Sequence, residues 1–154
     1  MDSEQIRIRQ WMLETISNGG IERFDDLHVD DICEQWKART DWIAAGLAAY
    51  ESALTLRGEL GLDVTVALGY SLVEGAGEMK ETFETVEEFE NQLDWSPPSL
   101  YLFKPGDRTH LSGRLKPDPL PKALNSKLPE GSKSFLLQWT DEDGATRRTV
   151  FVEM

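Results

Sequence analysis

Two histidines, one cysteine and a dense set of carboxylates are the residues of this chain that could do chemistry. His28 lies in Asp25-Asp26-Leu27-His28-Val29-Asp30-Asp31. A histidine among carboxylates can ligate a divalent metal or act as a general base. Neighbouring residues at a helix start point in different directions, however, and no second His or Cys stands at ligand spacing, His110 being far away in sequence. Cys33 falls at helical spacing with Val29, Ile32 and Trp36. A nucleophilic thiol needs a polar site that lowers its pKa, so an apolar setting marks a buried structural cysteine. Asp141-Glu142-Asp143-Gly144 resembles the start of a calcium loop, but the glutamate that should close a twelve-residue loop is missing, and a hairpin turn explains the four residues. Gly75 and Gly77 lack the third glycine and the lysine of a phosphate-cradling loop. The sequence therefore assigns no catalytic residue, no metal and no cofactor.

Charge is the more informative chemistry. Residues 1–95 hold 21 of the 28 acidic side chains and 7 of the 16 basic ones, a balance of −14, while residues 96–154 carry +2. A field of one sign repels phosphate and attracts cations, so the first part is unsuited to nucleic acid. The acids are densest in Glu74, Glu78, Glu81, Glu84, Glu87, Glu88, Glu90 and Asp94, around a single Lys80. An ordinary exposed helix interleaves the two signs. Either this is a solvated face that keeps the protein soluble, or it is a docking surface for a basic protein. On the second reading Glu84, Glu87, Glu88, Glu90 and Asp94 supply charge and Trp95 supplies contact area.

The elements that must hold these residues follow from periodicity. A first helix spans about Asp2 to Asn18, with Asp2 and Gln5 at its cap; Ile6, Met12, Leu13 and Ile16 share one face, and Ile8 and Trp11 another. A second is expected over Val29 to Lys37, capped by Asp25 or Asp26. A third begins near Thr40 or Asp41, with Ile43, Leu47, Tyr50 and Leu54 as its buried stripe. Leu62 to Val73 alternates as a strand. Thr85 and Glu88 have capping-box spacing ahead of Val86, Phe89 and Leu93, and Pro97-Pro98 ends that acidic helix. Ser99 to Phe103 reads as a strand and Thr109 to Leu115 as its return. Pro117, Pro119 and Pro121 hold an extended connector, and 135–152 forms a hairpin.

The fold class expected is α+β: an N-terminal three-helix cluster compatible with a winged-helix-like arrangement, a strand and an acidic helix, then a C-terminal antiparallel sheet ending in the hairpin. Residues 1–154 suit a single domain, divisible into an acidic, mainly helical part to residue 95 and a mainly β part after it. One cysteine, an acidic N-terminus without a signal-peptide core and no apolar run long enough for a bilayer predict a cytoplasmic protein with no membrane association. The function expected is a non-catalytic acidic interaction protein, such as an inhibitor, immunity-type protein or adaptor subunit, that docks on a basic protein. One rival is a nucleic-acid-binding regulator; it needs a continuous positive surface from Lys104, Arg108, Arg114, Lys116, Lys122, Lys127 and Lys133. Against it, the helix that would read DNA has neither a basic nor an amide side chain from Asp41 to Leu54. The other rival is an enzyme whose site gathers His28, His110 and carboxylates in one deep pocket.

Overall fold

A computed structural model describes residues 2–17, 25–33, 37–73, 80–105, 113–140 and 142–154. The chain runs α1 (Ser3–Ser17), β1 (Asp25–His28), a 3-10 turn (Val29–Asp31), α2 (Arg39–Leu60), β2 (Thr65–Ser71), α3 (Val86–Gln92), β3 (Ser99–Phe103), β4 (Arg114–Pro117), α4 (Lys122–Asn125), β5 (Lys133–Thr140) and β6 (Thr146–Glu153). The class is α+β. The six strands form one antiparallel sheet in the order β1-β3-β2-β6-β5-β4, and the C-terminal hairpin is β5 with β6, paired from Lys133↔Glu153 to Thr140↔Thr146.

Strand alternation builds the core. Leu68 stands opposite both Leu100 and Val152, and Tyr70 opposite Val150, so one face of β2, β3 and β6 is a continuous apolar layer. α2 lies on that layer. Tyr70 donates its hydroxyl proton to the Ile43 carbonyl across 2.8 Å, and burial pushes its phenol pKa far up. α2 starts where the Asp41 carboxylate accepts from the backbone N–H groups of Lys37 and Ala38, at 3.1 and 3.0 Å. It ends at Gly61, whose φ of +65° is the left-handed exit that glycine adopts without strain. The helix runs to Leu60, beyond the expected stripe, because Ala53 and Leu56 continue its buried side.

Several expectations are corrected. The second of the three N-terminal helices is not an α-helix in its described part. Asp25–His28 instead pairs with Leu102 to Ser99 as an edge strand, followed by one 3-10 turn. The pattern is of period two, with Leu27 and Val29 buried and Asp26 and His28 exposed, so the acids here do not cap a helix. Among the described residues, the winged-helix-like trio is thus reduced to α1 and α2. On α1 the buried residues are Ile8, Trp11 and Met12, one stripe at i, i+3 and i+4, while Ile6 faces solvent. β4 does not return beside β3; it pairs with β5 at the opposite edge. Behind Pro121, Lys122–Asn125 coils into the short α4, where only an extended connector was expected. Glu74, Glu78, Glu34, Trp36, Arg108, His110 and Asp141 lie outside the described residues.

Candidate functional site

The acidic helix forms as its spacing requires. Thr85 accepts at 3.1 Å from the Glu88 N–H, and the Glu88 carboxylate reaches back to the Glu84 N–H at 2.9 Å. Its other oxygen accepts from Lys80 Nζ at 2.9 Å. The Lys80 hydrogen bond first, and the Glu84 N–H second, hold the Glu88 carboxyl below the ordinary carboxylate range. Glu88 is therefore committed to closing the helix start. Phe89 anchors the helix, packed against Tyr70 and Phe83 with ring centroids 5.4 Å away in each case. Glu84 and Glu87 are exposed and Glu90 half-buried, and none of the three has an ion pair among the described residues. Asp94 accepts from the Trp95 N–H at 2.8 Å, while its own N–H donates to Ser71.

Trp95 follows α3 with 68% of its surface exposed. It is nonetheless braced. The Trp42 ring meets it edge-on at 5.7 Å, and the Arg39 guanidinium lies 4.5 Å from its ring centroid. Arg39 also donates to the Asn91 carbonyl at 3.3 Å, tying the first turn of α2 to the last of α3. An exposed aromatic held in one place loses little entropy on binding, which is how interface anchors gain affinity. Of the expected contact residues, the structure places Glu84 ahead of the helix, Glu87 and Glu90 on it and Asp94 and Trp95 after it, and gives Glu88 a structural role.

Several of the described cations face the protein's own acids and carbonyls. Arg114 and Lys116 stand 3.8 and 3.6 Å from Glu81. Arg148, 3% exposed, donates to the Lys80 carbonyl, and burial pushes its pKa down. Arg57 donates to the carbonyls of Val64 and Met154. Lys122, Lys127 and Lys133 are exposed on α4, the turn after it and β5. The outer side of α2 exposes Thr40, Asp41, Ala44, Ala48, Glu51, Thr55 and Glu59, with no base or amide to read DNA.

His28 has acquired partners of a different kind. Its Nδ1 lies 2.8 Å from the Ser99 hydroxyl and its Nε2 3.5 Å from Asp26. The pairs His28↔Ser99 and Asp26↔Tyr101 sit opposite each other across β1 and β3, and Tyr101 hydrogen-bonds Ser99. Burial first, and the Asp26 charge after it, push the Tyr101 phenol up, while the Ser99 bond pulls it down. A serine, a histidine and an aspartate in contact invite comparison with nucleophilic catalysis. Ser99, however, is 4% exposed, which closes it to an acyl group. The cluster acts as a polar ladder that pins the edge strand. Cys33 is half-buried, and no metal-binding group of three His, Cys, Asp or Glu side chains occurs among the described residues.

A second feature is a cleft of about 320 Å³ between α2, the start of α3 and α4. Thr40, Ile43, Ala44, Leu47, Ala48, Tyr50 and Glu51 form its α2 side, Val86 its α3 side, and Leu124, Lys127, Leu128 and Pro129 its far wall. Tyr50 is fixed there by a 3.0 Å hydrogen bond to Ser132, and burial raises its phenol pKa. The sequence signals were slight: small residues at 44 and 48 on α2, and Leu124 and Leu128 four apart behind the prolines. No helix among the described residues is long and apolar enough to cross a membrane. No family model matches the chain, and neither a curated protein nor a solved structure matches it.

Proposed function

We propose that this is a non-catalytic interaction protein that docks on a basic protein partner through α3 and the residues that flank it. One observation carries the reading: Trp95, after the exit of α3, is exposed yet braced by Trp42 and Arg39, while Glu84 ahead of the helix and Glu87 and Glu90 on it have no ion pair among the described residues. Charges at a rim steer and select a partner, and a rigid aromatic supplies contact energy. The protein then acts by occupying a surface, as an inhibitor, immunity-type protein or adaptor does, and a cytoplasmic setting suits its lone half-buried cysteine. The test is capture from host extract on the immobilised protein at low and high salt. A captured basic protein that is released by salt, and that is lost with both the Glu84→Lys/Glu87→Lys/Glu90→Lys variant and Trp95→Ala, supports the reading. Capture that both variants retain overturns it.

A further inference from the structure

We infer that the cleft between α2, α3 and α4 is the apolar anchor pocket of that same docking surface, and that its occupant is an amphipathic helical segment of the basic partner carrying two aliphatic side chains four residues apart with Lys or Arg beside them. The inference rests on the docking reading above, but on a different part of the surface from Trp95.

Three observations select this occupant. The floor is a helix ridge kept low: Thr40, Ala44 and Ala48 follow one another at intervals of four along α2, and both alanines are exposed. A ridge of that spacing, with no side chain beyond Cβ at two of its steps, admits the ridge of a second helix. Next, the walls are aliphatic, from Leu47, Val86 and Leu128, and a volume of about 320 Å³ takes one or two branched side chains. Finally, the rim charges are sorted. Glu51 borders the cleft on α2, and Glu90, four positions after Val86, is its neighbour along α3. Lys127 stands on the opposite wall. Bases of an incoming segment are therefore drawn to the α2–α3 side, towards Glu51 and Glu90. Charge and apolar anchoring then act on one ligand, which charge alone could not distinguish from any other polycation.

The probe is a labelled synthetic helix of about fourteen residues, with leucines at i and i+4 and lysines flanking them, titrated by fluorescence anisotropy; two control peptides replace either the leucines by alanine or the lysines by glutamate. Ala48→Trp places an indole over the floor of the cleft from an exposed position, and Ala44→Phe is a second, smaller obstruction; thermal unfolding verifies that each folds. The expected result is a loss of tenfold or more with either variant, a similar loss for the leucine-to-alanine peptide, and no binding of the glutamate peptide. If the alanine peptide binds as well as the leucine one, or if both variants bind unchanged while Glu87→Lys/Glu90→Lys weakens binding, the cleft inference fails and the docking reading stands. If Glu87→Lys/Glu90→Lys binds this lysine probe unchanged, the docking reading itself fails. Octanoate binding that Ala48→Trp blocks, with no binding of any peptide, assigns the cleft to a small molecule and overturns the proposal. So does a concentration-dependent dimer that Ala48→Trp abolishes.

Discussion

The same substitution at two positions of α2 should have opposite effects on stability. Gly46 and Gly58 both lie within the helix, where glycine is about 1 kcal/mol less favourable than alanine. At Gly58 an added Cβ meets nothing within 4 Å, so Gly58→Ala should stabilise the protein by about 0.5–1 kcal/mol, reduced a little by its place in the last turn. At Gly46 the added Cβ would stand 2.6 Å from the Tyr70 hydroxyl oxygen and 3.0 and 3.1 Å from its ring carbons. Ordinary carbon contacts begin near 3.5 Å, so the ring must retreat by roughly half an ångström or more. It has no room to do so. The ring is fully buried, its hydroxyl is held by the Ile43 carbonyl, and it packs edge-on with Phe89 of α3. Overpacking of this kind costs about 1–3 kcal/mol, and loss of the buried hydrogen bond adds about 1 kcal/mol. After the helix-propensity gain is offset, Gly46→Ala should destabilise by about 1–3 kcal/mol. Urea unfolding followed by tryptophan fluorescence measures both variants. Tyr70→Phe removes the atom of closest approach, so Gly46→Ala should cost about 1 kcal/mol less in that background than alone. If Gly46→Ala is as stable as the parent, or if the two costs simply add, the close packing of α2 on Tyr70 is not what fixes the helix against α3.

The Glu88 carboxyl is held below its unfolded value by Lys80 and the Glu84 N–H. Its contribution to stability is therefore complete above the unfolded Glu value and lost as the pH falls through the lower folded one. Thermal unfolding of Glu88→Gln should lie below the parent at neutral pH and converge with it between roughly pH 5 and pH 3; parallel curves would count against this role. Trp95→Ala should change unfolding free energy by less than about 1 kcal/mol, because most of the ring is already in water, while partner capture is lost; a large stability loss with capture intact would make Trp95 a structural residue.

What the sequence made legible was local. Thr85 and Glu88 announced a helix start by spacing alone, and the structure adds only that the return arm reaches Glu84. Ser99 to Phe103 and the 135–152 hairpin are rich in apolar, aromatic and β-branched residues, and the structure pairs both in the sheet. Where the period was short the reading failed. Four residues, Asp25 to His28, carry too few alternations to outweigh a following Val29-Ile32-Cys33 spacing that also fits a helix, and what decides between them is pairing with Ser99 to Leu102, seventy residues away. α4 was hidden behind Pro121, which sits at its N-cap and so begins the helix as readily as it would end one. Strand order was not legible at all. Nothing in Arg114 to Pro117 says that it pairs with Phe135 to Gln138 and not with β3. The cleft is of the same kind, since its walls come from residues near 43, 86 and 128.

The division of charge along the chain looks different once strand order is known. β2, from the acidic part, lies between β3 and β6 of the other part, so the two share one sheet and their charges meet in space. Glu81 meets Arg114 and Lys116, and Arg148 reaches the Lys80 carbonyl. Cations of the last third thereby meet Glu81, ahead of α3. They do not extend to α3 itself. Lys80 is taken by Glu88, Arg39 lies on Trp95, and the outer sides of α2 and α3 keep Asp41, Glu51, Glu87 and Glu90 with no ion pair among the described residues. A net charge of −12 spread evenly would act on solubility alone. The proposed docking surface draws instead on the few carboxylates of α2 and α3 that stay without an ion pair among the described residues, next to an apolar cleft. If Glu51→Lys on α2 weakened partner capture as much as Glu87→Lys on α3 does, the two helices would be one surface; if only the α3 change mattered, the surface would end at Trp95.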